Sequence, residues 1–215
     1  MIIYGSSMSP FVRKTMAFAA EKQVEFELVQ ATLGSSDPAF REASPFGKMP
    51  AMRDGDFTLA DSTAICLYLE ALHPTPELVP TDAKLRGKAI WFDEFADTIV
   101  CTCGGKMFFN RIVSPIFLKR AGDLAMADKA ENEELPPILD YLETQIPDSD
   151  FLVGDRLTIA DLAVASPFAN FQHLGLTIDP SRHPKVASYT AAILARPSFA
   201  ITVERETRAL ARATA

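Results

Sequence analysis

The chain has 215 residues, enough to bury a substantial core in one large domain or two small ones. Apolar residues make up 48% and charged residues 23%, and no run approaches the roughly 18 apolar residues of a membrane span. A formal charge of −7 without a concentrated Lys/Arg tract argues against broad electrostatic binding to nucleic acid.

Met1 to Tyr4 reads as a short apolar strand, followed by the polar connection Gly5-Ser6-Ser7-Met8-Ser9. Ser9 at a cap position and Pro10 at the first helical position start a helix to Lys22, with Phe11, Val12, Met16, Ala17 and Ala20 facing inward. Val24 to Val29 alternates, which puts Val24, Phe26 and Leu28 on the core side of a strand parallel to the first. A short helix around Ala39 to Ala43 follows. Pro50 to Arg53 and Phe57 to Leu59 then form a hairpin about Asp54-Gly55-Asp56. Asp61 or Ser62 caps a helix whose buried side carries Ile65, Leu67, Tyr68, Leu69 and Leu72. The order is β-α-β-α-β-β-α, closed by the breaker run His73-Pro74-Thr75-Pro76.

From Ala83 the pattern turns helical. Leu85, Ala89, Phe92, Phe95, Ala96 and Ile99 give one apolar side, with a break or bend expected at Gly104-Gly105 and Pro115 bounding the next segment. A helix is expected from Asp123 to Leu142, bent at Pro136-Pro137. Thr158-Ile159-Ala160-Asp161 is a capping signature in which Thr158 starts a helix and Asp161 reciprocates at N3. Ala165, Phe168, Ala169, Phe171 and Leu174 continue it to Gly175, and Pro184 to Leu194 and the segment from Pro197 are two further helices. The domains expected are 1–76, a linker 77–85, and an all-helical unit 86–215 of five or six helices.

Cys66 reads as a core residue, and Cys101-Thr102-Cys103 lacks the spacing of a redox pair or metal site. Inert thiols in a reducing cytoplasm fit this usage. His73, His173 and His183 are too scattered to hold a metal. Gly34, Gly104-Gly105 and Gly154 lack the order of a dinucleotide loop.

Ser9 is the residue with chemistry to offer. Its plain role is a helix cap; its functional role is to donate a hydroxyl hydrogen bond to an anion held at the helix N-terminus. A thiol of pKa about 8.5 is roughly 3% ionised at pH 7, and lowering that value by about two units takes roughly 2.7 kcal/mol. One charged hydrogen bond and the helix end supply energy of that order. Ser6 and Ser7 are alternative donors, and Arg13 reads as a solvent-facing residue of the first turn.

Together Ser9-Pro10-Phe11, Phe46-Gly47-Lys48-Met49-Pro50, Asp61-Ser62 and Leu157-Thr158-Ile159-Ala160-Asp161 resemble the soluble glutathione transferase family, as a bacterial-like member with a serine-type active site. The resemblance implies a thioredoxin-like N-terminal domain, an all-α C-terminal domain, a homodimer and a cis Pro50. It further implies glutathione as co-substrate, without metal or nucleotide, and an apolar electrophilic small molecule as partner. Met49 would pair through its backbone with the cysteinyl part, Asp61 and Ser62 would hold the γ-glutamyl end, and Thr63 would buttress it. Asp97 would reach the γ-glutamyl group from the partner subunit or lie on a solvated face. Lys48 or Arg41 would meet the glycine carboxylate, because the stretch 33–39 has no basic residue. Met8, Phe11, Met107, Phe108 and Ile112 are expected walls for the electrophile. A glutathione-dependent peroxidase or thiol reductase, and a non-catalytic binding protein on the same fold, are the competing readings.

Overall fold

The computed structural model describes residues 1–32 and 34–214; Leu33, at the head of the stretch without basic residues, lies outside them. Four strands, β1 (Ile2–Tyr4), β2 (Glu27–Val29), β3 (Ala51–Asp54) and β4 (Phe57–Ala60), form one sheet in the order β2-β1-β3-β4. β1 runs parallel to β2 and antiparallel to β3, which pairs antiparallel with β4. The two-residue period of the strands divides the sheet's faces. Ile3 and Met52, opposite each other in register, pack toward α1 (Pro10–Glu21) and α3 (Ser62–Leu72). Tyr4 and Ala51 pack toward α2 (Pro38–Ala43) on the other face. This is the thioredoxin-like arrangement expected, with alternate residues of the β2 segment (Val24, Phe26, Leu28) turned to the core.

The helical half is built from α4 (Ala83–Phe95), α5 (Cys101–Phe108), α6 (Leu124–Lys129), α7 (Leu135–Gln145), α8 (Ile159–His173), α9 (Pro184–Leu194) and α10 (Pro197–Thr214). π-helical turns at Ala96–Val100 and Phe109–Phe117 make 83–117 one continuous run, and a third at Ala130–Glu134 joins α6 to α7. Five helical stretches therefore stand among the described residues, within the range expected.

Several local expectations are corrected. The helix does not break at Gly104-Gly105; a Cβ on Gly104 would lie 2.9 Å from the Phe171 ring, so the glycine serves close packing of α5 on α8. Ile99 is 41% exposed and Val100 is buried instead, because the wider π turn delays the apolar side by one residue. Leu85 and Leu72 are also largely exposed, and in α1 Ala20 faces solvent. Pro115 sits inside the second π turn, which runs on to Phe117. Pro136 and Pro137 fall in the first turn of α7, directly after the π turn at Ala130–Glu134.

α8 is the axis of this half, buried continuously from Ile159 to Phe171. Asp161 anchors its start: the carboxylate accepts from the Thr158 N–H (2.8 Å), the Leu152 N–H (2.9 Å), the Tyr189 hydroxyl (3.0 Å) and the Thr158 hydroxyl (3.2 Å).

The two halves meet on α1, whose residues Val12 to Ala19 are all buried. Arg13 is not solvent-facing; it is fully enclosed, because its partners come from α8 and α10, over 150 residues away. Its Nε and Nη2 donate to the Glu206 carboxylate (Nη2–Oε2 2.8 Å), and Nη1 donates to Ser166 O and Asn170 Oδ1, both at 2.8 Å. The buried His173 ring lies 2.9 Å from the same carboxylate. Lys14 points the other way, to Asp93 and Asp97 (2.7 Å each) and to Thr63 Oγ1 (3.2 Å).

Two stability predictions follow from these groups. Asp161→Ala strands several buried donors and should lower unfolding free energy by about 3 kcal/mol, read from urea titration. Burial by itself would raise the Glu206 pKa, but the Arg13 charge and the bonds from His173 and Arg13 hold it below its ordinary 4.5. A depressed carboxylate contributes stability above that value and loses it as pH falls through the folded-state value. Glu206→Gln should therefore lose more stability at pH 7 than at pH 3, with a loss of about 3 kcal/mol or more at neutrality from the uncompensated guanidinium. Equal losses at both pH values would refute the assignment.

Candidate active site

A cleft of about 1610 Å³ opens between the sheet edge and the helical half. A single drug-sized ligand takes about 300–1,000 Å³, so this space has room for a tripeptide and a second molecule. One end is polar, lined by Ser6, Ser7, Ser9, Gln30, Thr32, Lys48, Asp61 and Ser62. The other is aromatic and aliphatic, lined by Phe108, Phe109, Val113, Phe117 and Leu118.

Ser9 is half-buried on the wall at the start of α1. It occupies the N-cap position with extended backbone (φ −75°, ψ 125°), yet its hydroxyl makes no capping bond. The main chain carries the anchoring instead: Ser9 N–H donates to Ser6 O (2.9 Å) and Ser9 O accepts from Arg13 N–H (2.9 Å). Pro10 at the first helical position has no N–H to satisfy.

Met49-Pro50 is a cis peptide. Met49 lies two residues before the β3 ladder, and among the described residues neither its N–H nor its C=O has a hydrogen-bond partner. Asp61, rather than Ser62, caps α3, its carboxylate accepting from Ala64 N–H at 3.0 Å. Its φ of +86° is a strained value for a side-chain-bearing residue, of the kind found at ligand clamps. Ser62 at the first helical position gives its hydroxyl to Asp97 Oδ2 (3.2 Å). Asp97 is thus not on a solvated face; it is held within its own chain by Lys14 and Ser62. Burial raises the Asp97 pKa, a shift partly offset by Lys14. Thr63 is outside the cleft wall and donates to Asp93 Oδ2 at 2.6 Å beneath it.

Of the two cations considered for the glycine end, Lys48 lines the cleft, while Arg41 does not and donates to Ser35 O (2.7 Å). Met8, Phe11 and Phe108 line the cleft as expected walls. Met107 does not: it is fully buried in the core. Ile112 is also off the wall. Counting four residues on from Phe108 selects Ile112, but Leu118 N–H bonds Val113 O in the i to i+5 pattern, and the wider turn brings Val113 and Phe117 round instead.

The contributions of Pro167, Asn170, Thr202, Arg205, Glu206 and Ala209 have no local sequence signal, because α8 and α10 reach the cleft only through the interdomain seam. Cys101 is on the wall too. Burial, and after it the Asp97 charge, push its thiol well up, so it stays protonated. Among the described residues no group of three His, Cys, Asp or Glu side chains converges as a metal site, and no single helix is long and apolar enough to cross a membrane.

Residues 3–77 match the family model described as glutathione S-transferase, N-terminal domain, and residues 108–201 the one described as glutathione S-transferase, C-terminal domain. The chain is 32% identical over 213 residues to a glutathione S-transferase of Hyoscyamus muticus, covering 95% of this chain and 98% of the relative. A glutathione S-transferase structure from Rhodospirillum rubrum F11 superposes with a TM-score of 0.83 at 26% identity, covering 92% of this chain and 89% of that one. A glutathione S-transferase III in apo form gives 0.79 at 31% identity, with 94% and 95% covered. A sheet edge with an unpaired backbone beside a cis proline, an uncommitted serine at a helix start, an apolar wall opposite, and these likenesses along the whole length lead to one conclusion. The chain belongs to the glutathione S-transferase family, enzymes that bind glutathione for reaction with small electrophiles.

Proposed function

We propose a serine-type mechanism, in which the Ser9 hydroxyl donates to the sulfur of bound glutathione and holds it as a thiolate. The observation that carries this reading is a hydroxyl on the cleft wall, at the start of α1, that makes no capping bond while the backbone around it is anchored. A thiolate there meets an O–H donor and the positive end of a helix twelve residues long. Attack forms the sulfur–carbon bond and either expels a leaving group with its electron pair or adds across an activated double bond, which then takes a proton from water. Ser6 and Ser7, on the same wall, are the alternative donors.

In this reading the free Met49 N–H and C=O pair with the cysteinyl unit. The Asp61 carboxylate meets the γ-glutamyl ammonium. The first amides of α3 take its carboxylate, since the Ser62 hydroxyl is given to Asp97. Thr63 supports that end from below through Asp93, and Lys48 takes the glycine carboxylate. Met8, Phe11 and Phe108 face the electrophile. The end of α3 at Leu72 and the start of α4 at Ala83 support a boundary between these two helices; the division 1–76, 77–85 and 86–215 falls there except that its linker takes in the first residues of α4. Three free cysteines accord with a reducing, cytoplasmic setting. The protein works as a homodimer, in which Phe46, 91% exposed on the loop before Met49, is the side chain a second copy would cover.

Ser9→Ala should bind glutathione within about threefold of wild type while the bound-thiol pKa rises by about one to two units and the conjugation rate falls roughly a hundredfold. Thiolate absorbance against pH measures the first; an unchanged value would move the role to Ser6 or Ser7. Phe46→Ser should weaken dimerisation roughly 10- to 100-fold in sedimentation equilibrium, the equivalent of one lost buried aromatic side chain. A monomeric wild-type protein would overturn the dimer.

A further inference from the structure

Three consecutive carbonyls around Ser9 are each claimed by a donor. Met8 O accepts from Asn170 Nδ2 at 3.0 Å, Ser9 O from the Arg13 N–H at 2.9 Å, and Pro10 O from Ser166 Oγ at 2.7 Å. Ser166 and Asn170 are four residues apart on α8, hence on one face of that helix. Arg13 orients them: its Nη1 donates to Ser166 O and to Asn170 Oδ1. With Oδ1 taken by a cation, the Asn170 amide can present only its NH₂ to Met8 O, so the side chain has one productive orientation. All three are buried, and Asn170 keeps only a margin on the cleft wall.

Interdomain adhesion does not call for this arrangement. Arg13–Glu206, Lys14–Asp93 and the apolar seam already hold α1 to the helical half. What the two α8 side chains add is a hold on the Met8–Ser9 and Pro10–Phe11 peptides, which flank the Ser9–Pro10 peptide bonded by Arg13 N–H, and with these three the direction of the Ser9 Cα–Cβ bond is set.

We propose that Asn170 and Ser166 are positioning residues for the Ser9 hydroxyl: the C-terminal domain, by gripping the carbonyls of Met8 and Pro10, sets the aim of the donor that ionises glutathione. The donor is thereby preorganised and needs no rearrangement when the thiol loses its proton. The inference rests on the Ser9 reading above and adds that the aim is set from α8.

The test compares wild type, Ser9→Ala, Asn170→Asp and Ser166→Ala under conditions where circular dichroism shows each folded. Asn170→Asp keeps an acceptor for Arg13 but turns an acceptor toward Met8 O. Three quantities are read: the pKa of glutathione thiol in the complex, kcat and KM for glutathione, and the urea midpoint. Misplacement by about an ångström costs up to a hundredfold. Asn170→Asp should therefore lose about tenfold or more in kcat, with KM for glutathione little changed and the bound-thiol pKa raised. Ser166→Ala should show a smaller loss of the same kind, and it carries the test should Asn170→Asp not fold. If Ser9→Ala raises the bound-thiol pKa while both α8 variants keep the wild-type pKa and kcat, changing only the urea midpoint, the α8 contacts are adhesive and the proposal falls. If Ser9→Ala leaves that pKa unchanged, the Ser9 reading itself falls and takes this one with it.

Discussion

The guanidinium of Arg13 has no access to water, and the rest of the molecule is arranged so that it does not need it. An Arg presents five N–H donors in a fixed fork. Here the fork meets a carboxylate from α10, a main-chain carbonyl of α8 and a side-chain amide of α8. Burying a cation without such partners costs several kcal/mol, so the two helices must stand where these acceptors reach it. Lys14, the next residue, projects about 100° further round the helix and makes the same demand of Asp93 and Asp97. Two adjacent cations thus secure one short helix to the C-terminal half from two sides. Among the described residues every buried side-chain nitrogen and oxygen has a partner.

The helix held in this way is the one that begins at Ser9, and the chemistry follows from that. Where the chain enters α1, the backbone is immobilised by Ser6, Arg13 and the α8 side chains, while the Ser9 hydroxyl stays uncommitted on the cleft wall. The sheet contributes the complementary half of the cleft through an unpaired peptide at Met49 and a strained cap at Asp61. In the proposed mechanism polar recognition of glutathione falls to the sheet edge, and apolar contact to the helices. The cysteine between them, Cys101, is kept protonated by burial and by Asp97, leaving the substrate's own sulfur as the reactive one.

The π-helical turns shape the apolar wall. The first inserts a wider turn into a run that continues as α-helix, and the second ends that run. The first moves burial from Ile99 to Val100; the second carries Val113 and Phe117 to the cleft and leaves Ile112 off it. The seam also brings in α10, whose Thr202, Arg205 and Ala209 border the same space.

The amino-acid sequence by itself determined the parts whose causes are local. Alternation along Val24–Val29 decided a face, Asp-Gly-Asp at 54–56 decided a hairpin, and Asp61, Asp123 and Thr158-Asp161 decided where helices begin. Ser9 before Pro10 marked the start of α1, which lies on the cleft wall. Tertiary structure alone decided what depends on groups far away along the chain. A first-turn Arg looks solvated until a carboxylate 193 residues later is brought against it, and periods counted at 3.6 residues fail wherever a π turn shifts the phase. Local rules record the preferences of a few neighbouring residues, whereas burial of a charge, the register after a π turn and the lining of an interdomain cleft are properties of surfaces that exist only once the two halves have packed.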